Sequence, residues 1–394
     1  MTDADICIIG GGPAGMVAGF LFARAGVRTI VLEKHGDFLR DFRGDTVHPS
    51  TLDLFDELGL LDRLLEQPHD RVDTIGAVIG GRAYTIGNFR GLPRPGNFIA
   101  LMPQWHFLNF VAGEAGKLDA FTLRMNAEVS GLIEQGGRVG GVKLADGGEI
   151  TARLTIAADG RSSLVRREGG LPLHDLGVPI DVFWFRVPKP QTPDNRTQGF
   201  IANGEMVVTI DRGDYFQCAR VIEKGQADAV RARGFDAFRD QVAAAAPVLR
   251  DGIAAVQSWD DVKLLSVSLD RLTQWSRPGL LAIGDAAHAM SPVGGVGINL
   301  AIQDAVAAAN LLAAPMLSGD DVDPLLHKVQ ERRLFSVKII QAIQRVAHRC
   351  VLGPALAGRA TKAPWILKLI DRSPLLQQFP ARLLGLGIRR EHIR

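Results

Sequence analysis

Residues 5–33 read DICIIGGGPAGMVAGFLFARAGVRTIVLE. The apolar run 5–10 predicts a short buried strand. Residues 13–25 predict a helix with Pro13 in its first turn, where a missing N–H costs nothing. Residues 28–33 predict a second strand. The three pieces make a βαβ unit of about 30 residues, the expected opening of a doubly wound sheet. Between strand and helix, residues 10–15 fit G-x-G-x-x-G, and Glu33 stands eighteen residues after Gly15. Glycines there allow a tight turn and close approach of backbone to a ligand. The helix N-terminus offers N–H groups and partial positive charge to a pyrophosphate. Glu33, with Lys34 beside it, stands where an adenosine ribose would be held. The plainer reading is a Gly-rich turn with a surface Glu, and the strand–turn–helix–strand context weighs against it.

Two more segments share that form. Residues 280–304 read LLAIGDAAHAMSPVGGVGINLAIQD. A strand ends at Gly284 and Asp285, and a Gly-rich loop then opens a helix near Ile298 and Asn299. Asp285 suits a sugar-like hydroxyl chain, and the helix N-terminus suits negative charge. Residues 157–166, AADGRSSLVR, again give strand end, turn and helix start. The first two sites suit a long dinucleotide lying between them, and the third belongs to the same face of the sheet.

Around them the pattern alternates between the two periods. Residues 49–66 and 104–116 predict helices. Residues 127–134, 138–145 and 149–157 predict a β-meander. Residues 72–99 are short β-like pieces, and 178–222 and 264–270 alternate as strands, with a helix at 235–247. Residues 298–313 are an Ala-rich helix. The remainder predicts helices broken at Pro354, Pro364, Pro374 and Pro380.

As a set, these segments resemble the FAD-dependent aromatic hydroxylases, the class A flavoprotein monooxygenases of the p-hydroxybenzoate hydroxylase type. The resemblance spans roughly residues 4–310, with 178–270 matched only in style. It implies an α/β fold: a Rossmann-like FAD-binding domain with a β-meander, interleaved with a β-sheet substrate domain, and a C-terminal helical segment. The expected division is 1–71, 100–177 and 271–325 for FAD binding, 72–99 and 178–270 for substrate, and 326–394 for the helical region. It also implies FAD contacts at Gly10, Gly12, Pro13, Ala14, Gly15, Glu33, Lys34, Arg43, Gln104, Val129, Asp159, Gly284, Asp285, Pro292, Gly295, Gly297, Ile298 and Asn299. Arg43 matches the family's pyrophosphate arginine, Gln104 a further FAD-contacting side chain, and Val129 the strand residue whose backbone meets the adenine. The loop P-x-x-G-x-G-x-N appears at 292–299.

The activity so implied is an NADH- or NADPH-using monooxygenase. It would hydroxylate or epoxidise a small aromatic or apolar substrate with O2, through a flavin C4a-hydroperoxide. No second strand–GxGxxG–helix unit is present, so the nicotinamide cofactor would lack a domain of its own. A related group, the FAD-linked reductases of prenyl lipids, shares two of the segments and is the alternative. A flavin-binding protein with a sensing or scaffold role is a third. A disulfide reductase is excluded by the lack of a close Cys pair.

Single residues carry weaker signals. His48 is a candidate acid or base near neutral pH, or simply a contact at a helix start. His288, inside GDAAH, reads as structural. Asp45 pairs with Arg43 or lies near the nicotinamide. Trp184, Tyr215, Phe216 and Arg220 lie on predicted strands and line a pocket or pack the sheet. Only Tyr84 and Tyr215 exist. The phenol-activating tyrosines of some relatives therefore do not carry over.

Composition sets the outer limits. The chain has 394 residues, 46% apolar and 22% charged, which predicts two or three folding units and excludes wholesale disorder. A formal net charge of +2 gives no reason to expect nucleic acid. Cys7, Cys218 and Cys350 are too far apart in sequence for a metal or redox motif, so no metal and a reducing, cytoplasmic setting are expected. The first residues lack a basic region before their apolar run, unlike a signal peptide. No apolar run reaches the ~18 residues of a membrane span. Residues 341–394 hold ten Lys or Arg against two acids, a net +8. The favoured expectation is a helical cap packed on the FAD domain with its charges solvated, over contact with a membrane surface. Monomer and homodimer both stay open.

Overall fold

A computed structural model describes residues 2–39, 46–189, 198–358 and 363–394. The 5–33 unit builds the centre of the principal sheet. Its strands run in the order Ser276–Arg277, Leu280–Ala282, Glu149–Ala157, Ala4–Ile9, Thr29–Leu32 and Phe121–Arg124. From Leu280–Ala282 to Phe121–Arg124 every pairing is parallel. Ile6, Cys7 and Ile8 are all fully buried, the unbroken apolar run expected of a parallel strand covered on both faces. Val129–Gln135 and Arg138–Leu144 extend Glu149–Ala157 as the antiparallel meander.

Helices Pro13–Arg24 and Gly297–Leu317 pack against each other in the core of this half. Gly19 permits the first to lie close on the sheet: a Cβ there would stand 3.0 Å from the Phe121 ring. Gly297–Leu317 is long and apolar enough to cross a membrane, yet 72% of its apolar window is buried within the protein. Its run of alanines suits that close core packing.

A second sheet of seven strands runs Lys263–Leu265, Ile180–Pro188, Tyr215–Glu223, Glu205–Asp211, Gln198–Ala202, Thr74–Ile79, Arg82–Asn88. It joins the 74–88 hairpin to the 180–265 region through a parallel pairing of Thr74–Ile79 with Gln198–Ala202. Alternation sorts its faces. Phe183, Phe185, Phe216 and Cys218 pack under helix Phe235–Ala245. Val182, Trp184, Ala219 and Val221 face the other way and meet Val293 of the Gly-rich loop and Leu352.

Three sequence expectations change. Residues 49–66 form two helices, Pro49–Glu57 and Leu61–Leu65, separated by a turn at 58–60. Pro354 follows a π-turn in a run that stays helical from 326 to 356, and Pro380 lies inside helix Pro374–Gly385, so neither ends its helix; one lost backbone bond is tolerated where the rest of the turn is intact. The tail is not a cap on one domain. Helices Trp365–Arg372 and Pro374–Gly385 pack on strand Arg82–Asn88 of the second sheet. Residues 388–393 return to the first half, where Glu391 N–H reaches Gln303 and Arg390 pairs with Asp53. Partners so distant in sequence leave no local pattern to read.

Candidate cofactor site

The three strand-end turns meet at the carboxyl edge of the parallel sheet. Gly10 has φ +104°, and a Cβ on it would lie 2.7 Å from the carbonyl carbon of Ala158 and 2.9 Å from Cα of Asp159. Gly15 is equally constrained, since its Cβ would collide with the carbonyl oxygen of Gly10. Gly12 differs: among the described residues nothing lies within 4 Å of where its Cβ would be. The loop is therefore closed on its protein side and open at Gly12, the N-cap of helix Pro13–Arg24. Pro13 and Ala14 open that helix, whose first-turn N–H groups lack intrahelical partners.

Glu33 is buried at the end of its strand. Its Oε2 accepts the Gly11 N–H at 2.9 Å and its Oε1 the His35 N–H at 3.1 Å. The carboxylate thus braces the loop and stands beside it. Lys34 is exposed next to it.

Gly284 has φ +60°, and its Cβ would lie 2.9 Å from Cβ of Ala14 and 3.1 Å from Cβ of Ala301. That close approach locks the second turn against the first helix and the core helix together. Asp285 follows, partly exposed, with Oδ2 accepting from Arg161 Nε at 2.9 Å. Asp159 Oδ2 accepts the Leu164 N–H at 2.9 Å, while its Oδ1 is buried with no partner among the described residues. Burial raises the Asp159 pKa, opposed in part by Ser163 and the N–H groups of that helix start.

The Gly-rich loop leans on residues 46–51. Thr46 Oγ1 donates to the Gly295 carbonyl at 2.8 Å, and a Cβ on Gly295 would stand 2.6 Å from that hydroxyl. Asn299 Oδ1 accepts from His48 N at 2.9 Å and Thr51 Oγ1 at 2.7 Å, and its Nδ2 donates to Thr46 O at 3.1 Å. All of these Asn299 side-chain bonds go to protein, which leaves its backbone at the start of helix Gly297–Leu317 as the part that could face a ligand. Gly297 and Ile298 open the same helix, with Pro292 at the start of the preceding loop. Gln104 begins helix Gln104–Ala115, half-buried, and Val129 begins its strand opposite Leu144. Arg43 and Asp45 lie outside the described residues.

His48 is fully buried as the N-cap of Pro49–Glu57. Its Nδ1 lies 2.8 Å from the Leu384 carbonyl, so Nδ1 carries the proton, and Nε2 has no partner among the described residues. Burial lowers its pKa to about 4, leaving a neutral imidazole near pH 7. In this arrangement it ties the residues beside the Gly-rich loop to the C-terminal helices.

Two buried polar networks go beyond the sequence reading, which saw only His288 as structural, the role it has in the first of them. Asp304 Oδ2 lies 2.6 Å from His288 Nε2 and accepts the Gly284 N–H at 3.1 Å, while Oδ1 accepts from Arg333 Nε at 2.9 Å. All three side chains are essentially inaccessible. Burial alone would raise the Asp304 pKa; His288 and Arg333 outweigh it and hold the carboxyl below its usual value. A lone acid in an apolar helix demands partners, and Asp304 in NLAIQDAVAAA was the available signal. In the second network, Gln344 accepts from Ser291 N at 3.1 Å and donates to Ser291 O and Val293 O, each at 2.9 Å. His348 Nε2 adds a 2.9 Å contact to Ser291 Oγ. These bonds pin the Gly-rich loop to the long helix Leu326–Ala347 and the π-turn that follows.

Of the strand residues singled out above, Phe216 is core and Arg220 is a buried ion pair with Glu205 at 2.7 Å. Tyr215 lines a separate cleft with Arg186, Asp260 and Lys263. Trp184 lies on the face toward Val293, and its indole N–H is buried without a partner among the described residues.

A dinucleotide fits this donor set. Among the described residues Gly12 leaves room at a helix N-terminus and Asp159 Oδ1 is unpartnered, and Asp285 stands partly exposed between two such turns. The comparisons agree with that chemistry. A family model described as FAD binding domain matches residues 3–343. The 6-methylpretetramide 4-monooxygenase of Streptomyces rimosus is 32% identical over 388 residues, 97% of this chain and 92% of that one. The aklavinone 12-hydroxylase of Streptomyces peucetius is 28% identical, covering 90% of this chain and 76% of that one. The crystal structure of p-nitrophenol 4-monooxygenase from Pseudomonas putida superposes with TM-score 0.77 at 19% identity, over 98% of this chain and 99% of that one, a likeness of fold.

Proposed function

The chain belongs to the FAD binding domain family, and from that membership we propose the following working of the enzyme. It is an FAD-dependent monooxygenase acting on an aromatic substrate with O2. NADH or NADPH is the reductant in this reading. The observation that carries it is the convergence of three strand-end turns, Gly10 against Ala158 and Gly284 against Ala14, at one edge of one sheet.

Bound FAD supplies the relay of two electrons from nicotinamide to O2. The chain's own residues hold and orient it. The N–H groups at 14–15 and the open side of Gly12 take the pyrophosphate, with Arg43 as counter-charge. Glu33 and Lys34 take the adenosine end, with Gln104 and the Val129 backbone alongside. Asp159 and Asp285 take hydroxyls of the linking chain, Asp285 exchanging Arg161 for the cofactor. The N-terminus of Gly297–Leu317 takes negative charge at the ring system. The apolar sheet face around Trp184 excludes water from the reacting centre. Residues 1–71, 100–177 and 271–325 form the cofactor part in this division, and 72–99 with 178–270 the substrate part. We place the enzyme in the cytoplasm, in keeping with three free cysteines.

Reduction of prenyl-lipid double bonds is the less favoured reading, since the named relatives are oxygen-inserting enzymes. The test is turnover of aromatic candidates under isotopically heavy O2. Product carrying one heavy oxygen per nicotinamide consumed supports the proposal. Substrate turnover that proceeds without O2 overturns it.

A further inference from the structure

Helices Trp365–Arg372 and Pro374–Gly385 carry one short pattern twice. Trp365, Ile366 and Leu369 stand at i, i+1 and i+4, and Leu375, Leu376 and Phe379 repeat that spacing ten residues on. The spacing puts each trio on one face of its helix. All six side chains are exposed, Trp365 at 72%, Leu375 at 77% and Phe379 at 74%. Other residues attach the helices to the fold. Ala381 is buried with Phe89 and Leu92, and Asp371 accepts the Thr85 N–H at 2.8 Å. No side chain of Trp365–Arg372 is buried. Six large apolar groups left out on adjoining helices exceed the scattered exposure normal for a protein surface.

Charge decides what covers them. Lys368, Arg372 and Arg382 are exposed on the same helices and Arg82 on the strand beneath, while Arg90, exposed on the turn, is already paired with Asp73 at 3.0 Å. Asp371 is the one acid in the two helices, and it lies 3.9 Å from Arg82. A second copy docked through this patch would, by two-fold symmetry, bring two identical basic rims together. An anionic lipid surface offers apolar depth and negative charge at once. We propose that this face docks the enzyme on an anionic membrane surface. The six apolar side chains enter the boundary between headgroups and acyl chains, and the basic residues meet lipid phosphates. The inference concerns docking alone and does not rest on the reaction proposed above.

The experiment mixes the purified holoenzyme with vesicles of phosphatidylcholine, with or without about a quarter phosphatidylglycerol. Sedimentation and tryptophan emission are read together. Co-sedimentation is expected with the anionic vesicles and is weakened in about 0.5 M NaCl. Trp365 is the most exposed of the tryptophans, so emission shifts to the blue, and Trp365→Phe removes the shift. The double variant Leu375→Ser/Phe379→Ser is expected to bind at least about tenfold more weakly, with an unchanged melting temperature because both side chains face solvent. Absence of binding to anionic vesicles overturns the proposal, as does undiminished binding by the double variant. Concentration-dependent self-association abolished by that variant also overturns it, assigning the face to a second copy.

Discussion

Gly10 and Ala158, 148 residues apart, touch so closely that a single methyl group on Gly10 would lie 2.7 Å from the Ala158 carbonyl carbon. Two of the three turns are thereby one object. Gly10→Ala is expected to cost about 2–4 kcal/mol, from the left-handed φ and the backbone collision together. Gly12→Ala meets no described residue, so its melting temperature should hold while FAD affinity falls about tenfold or more. Thermal melts and flavin titration of the two apo-variants distinguish them. Equal losses of stability would show that the two glycines do not divide the work this way.

Asp285 is expected to exchange its ion pair with Arg161 for the cofactor. Asp285→Ala should raise the FAD dissociation constant about tenfold, with a smaller change in the stability of the apoprotein, since a partly exposed pair contributes under ~1 kcal/mol. Flavin fluorescence titration reads it. Unchanged affinity would remove Asp285 from the site.

Asp304 is a different case, being inaccessible and paired on both sides. Asp304→Ala leaves the Arg333 guanidinium buried with only Glu391, 3.8 Å away, as a carboxylate neighbour and should cost about 2–4 kcal/mol. The double variant Asp304→Leu/Arg333→Met should lose less than the sum of the singles. Chemical denaturation of the four proteins measures the coupling, and additive losses would mean the pair is not a unit.

His48 makes stability depend on pH. Its folded pKa, about 4, lies below the 6.5 of a free imidazole because burial disfavours the cation. The unfolded chain therefore binds the extra proton between those values. Stability is fully present above pH 6.5 and is lost as pH falls through the window toward 4, by about 2 kcal/mol at pH 5. His48→Asn keeps a donor for the Leu384 carbonyl without a titrating group. Melts at pH 7.5 and pH 5 should show a smaller acid loss in the variant, and parallel losses would contradict the buried neutral imidazole.

What could be read from the sequence was what the backbone itself dictates. A glycine at a strand end, a proline at a helix start and a Gly-rich loop before a helix are local needs, so residues 10–15, 157–160 and 284–299 were legible and lie together in the fold. The second sheet was legible in period but not in order: nothing in 74–79 announces that it pairs in parallel with 198–202. The tail was misjudged for the same reason. His48 meets Leu384 across 336 residues and Gln344 meets Ser291 across 53, contacts that only the closed fold creates. Exposure is likewise invisible in a string. The apolar residues of 365–379 look like core until their neighbours are known.

The central claim is that this chain activates O2 on a reduced flavin. It is tested most directly by rapid mixing of the anaerobically reduced holoenzyme with oxygen while the flavin absorbance is followed. The account expects a transient spectrum distinct from both reduced and oxidised flavin, whose decay quickens or yields product when an accepted aromatic substrate is present. Direct return to oxidised flavin, with no transient and no oxygenated product from any aromatic tested, would contradict it.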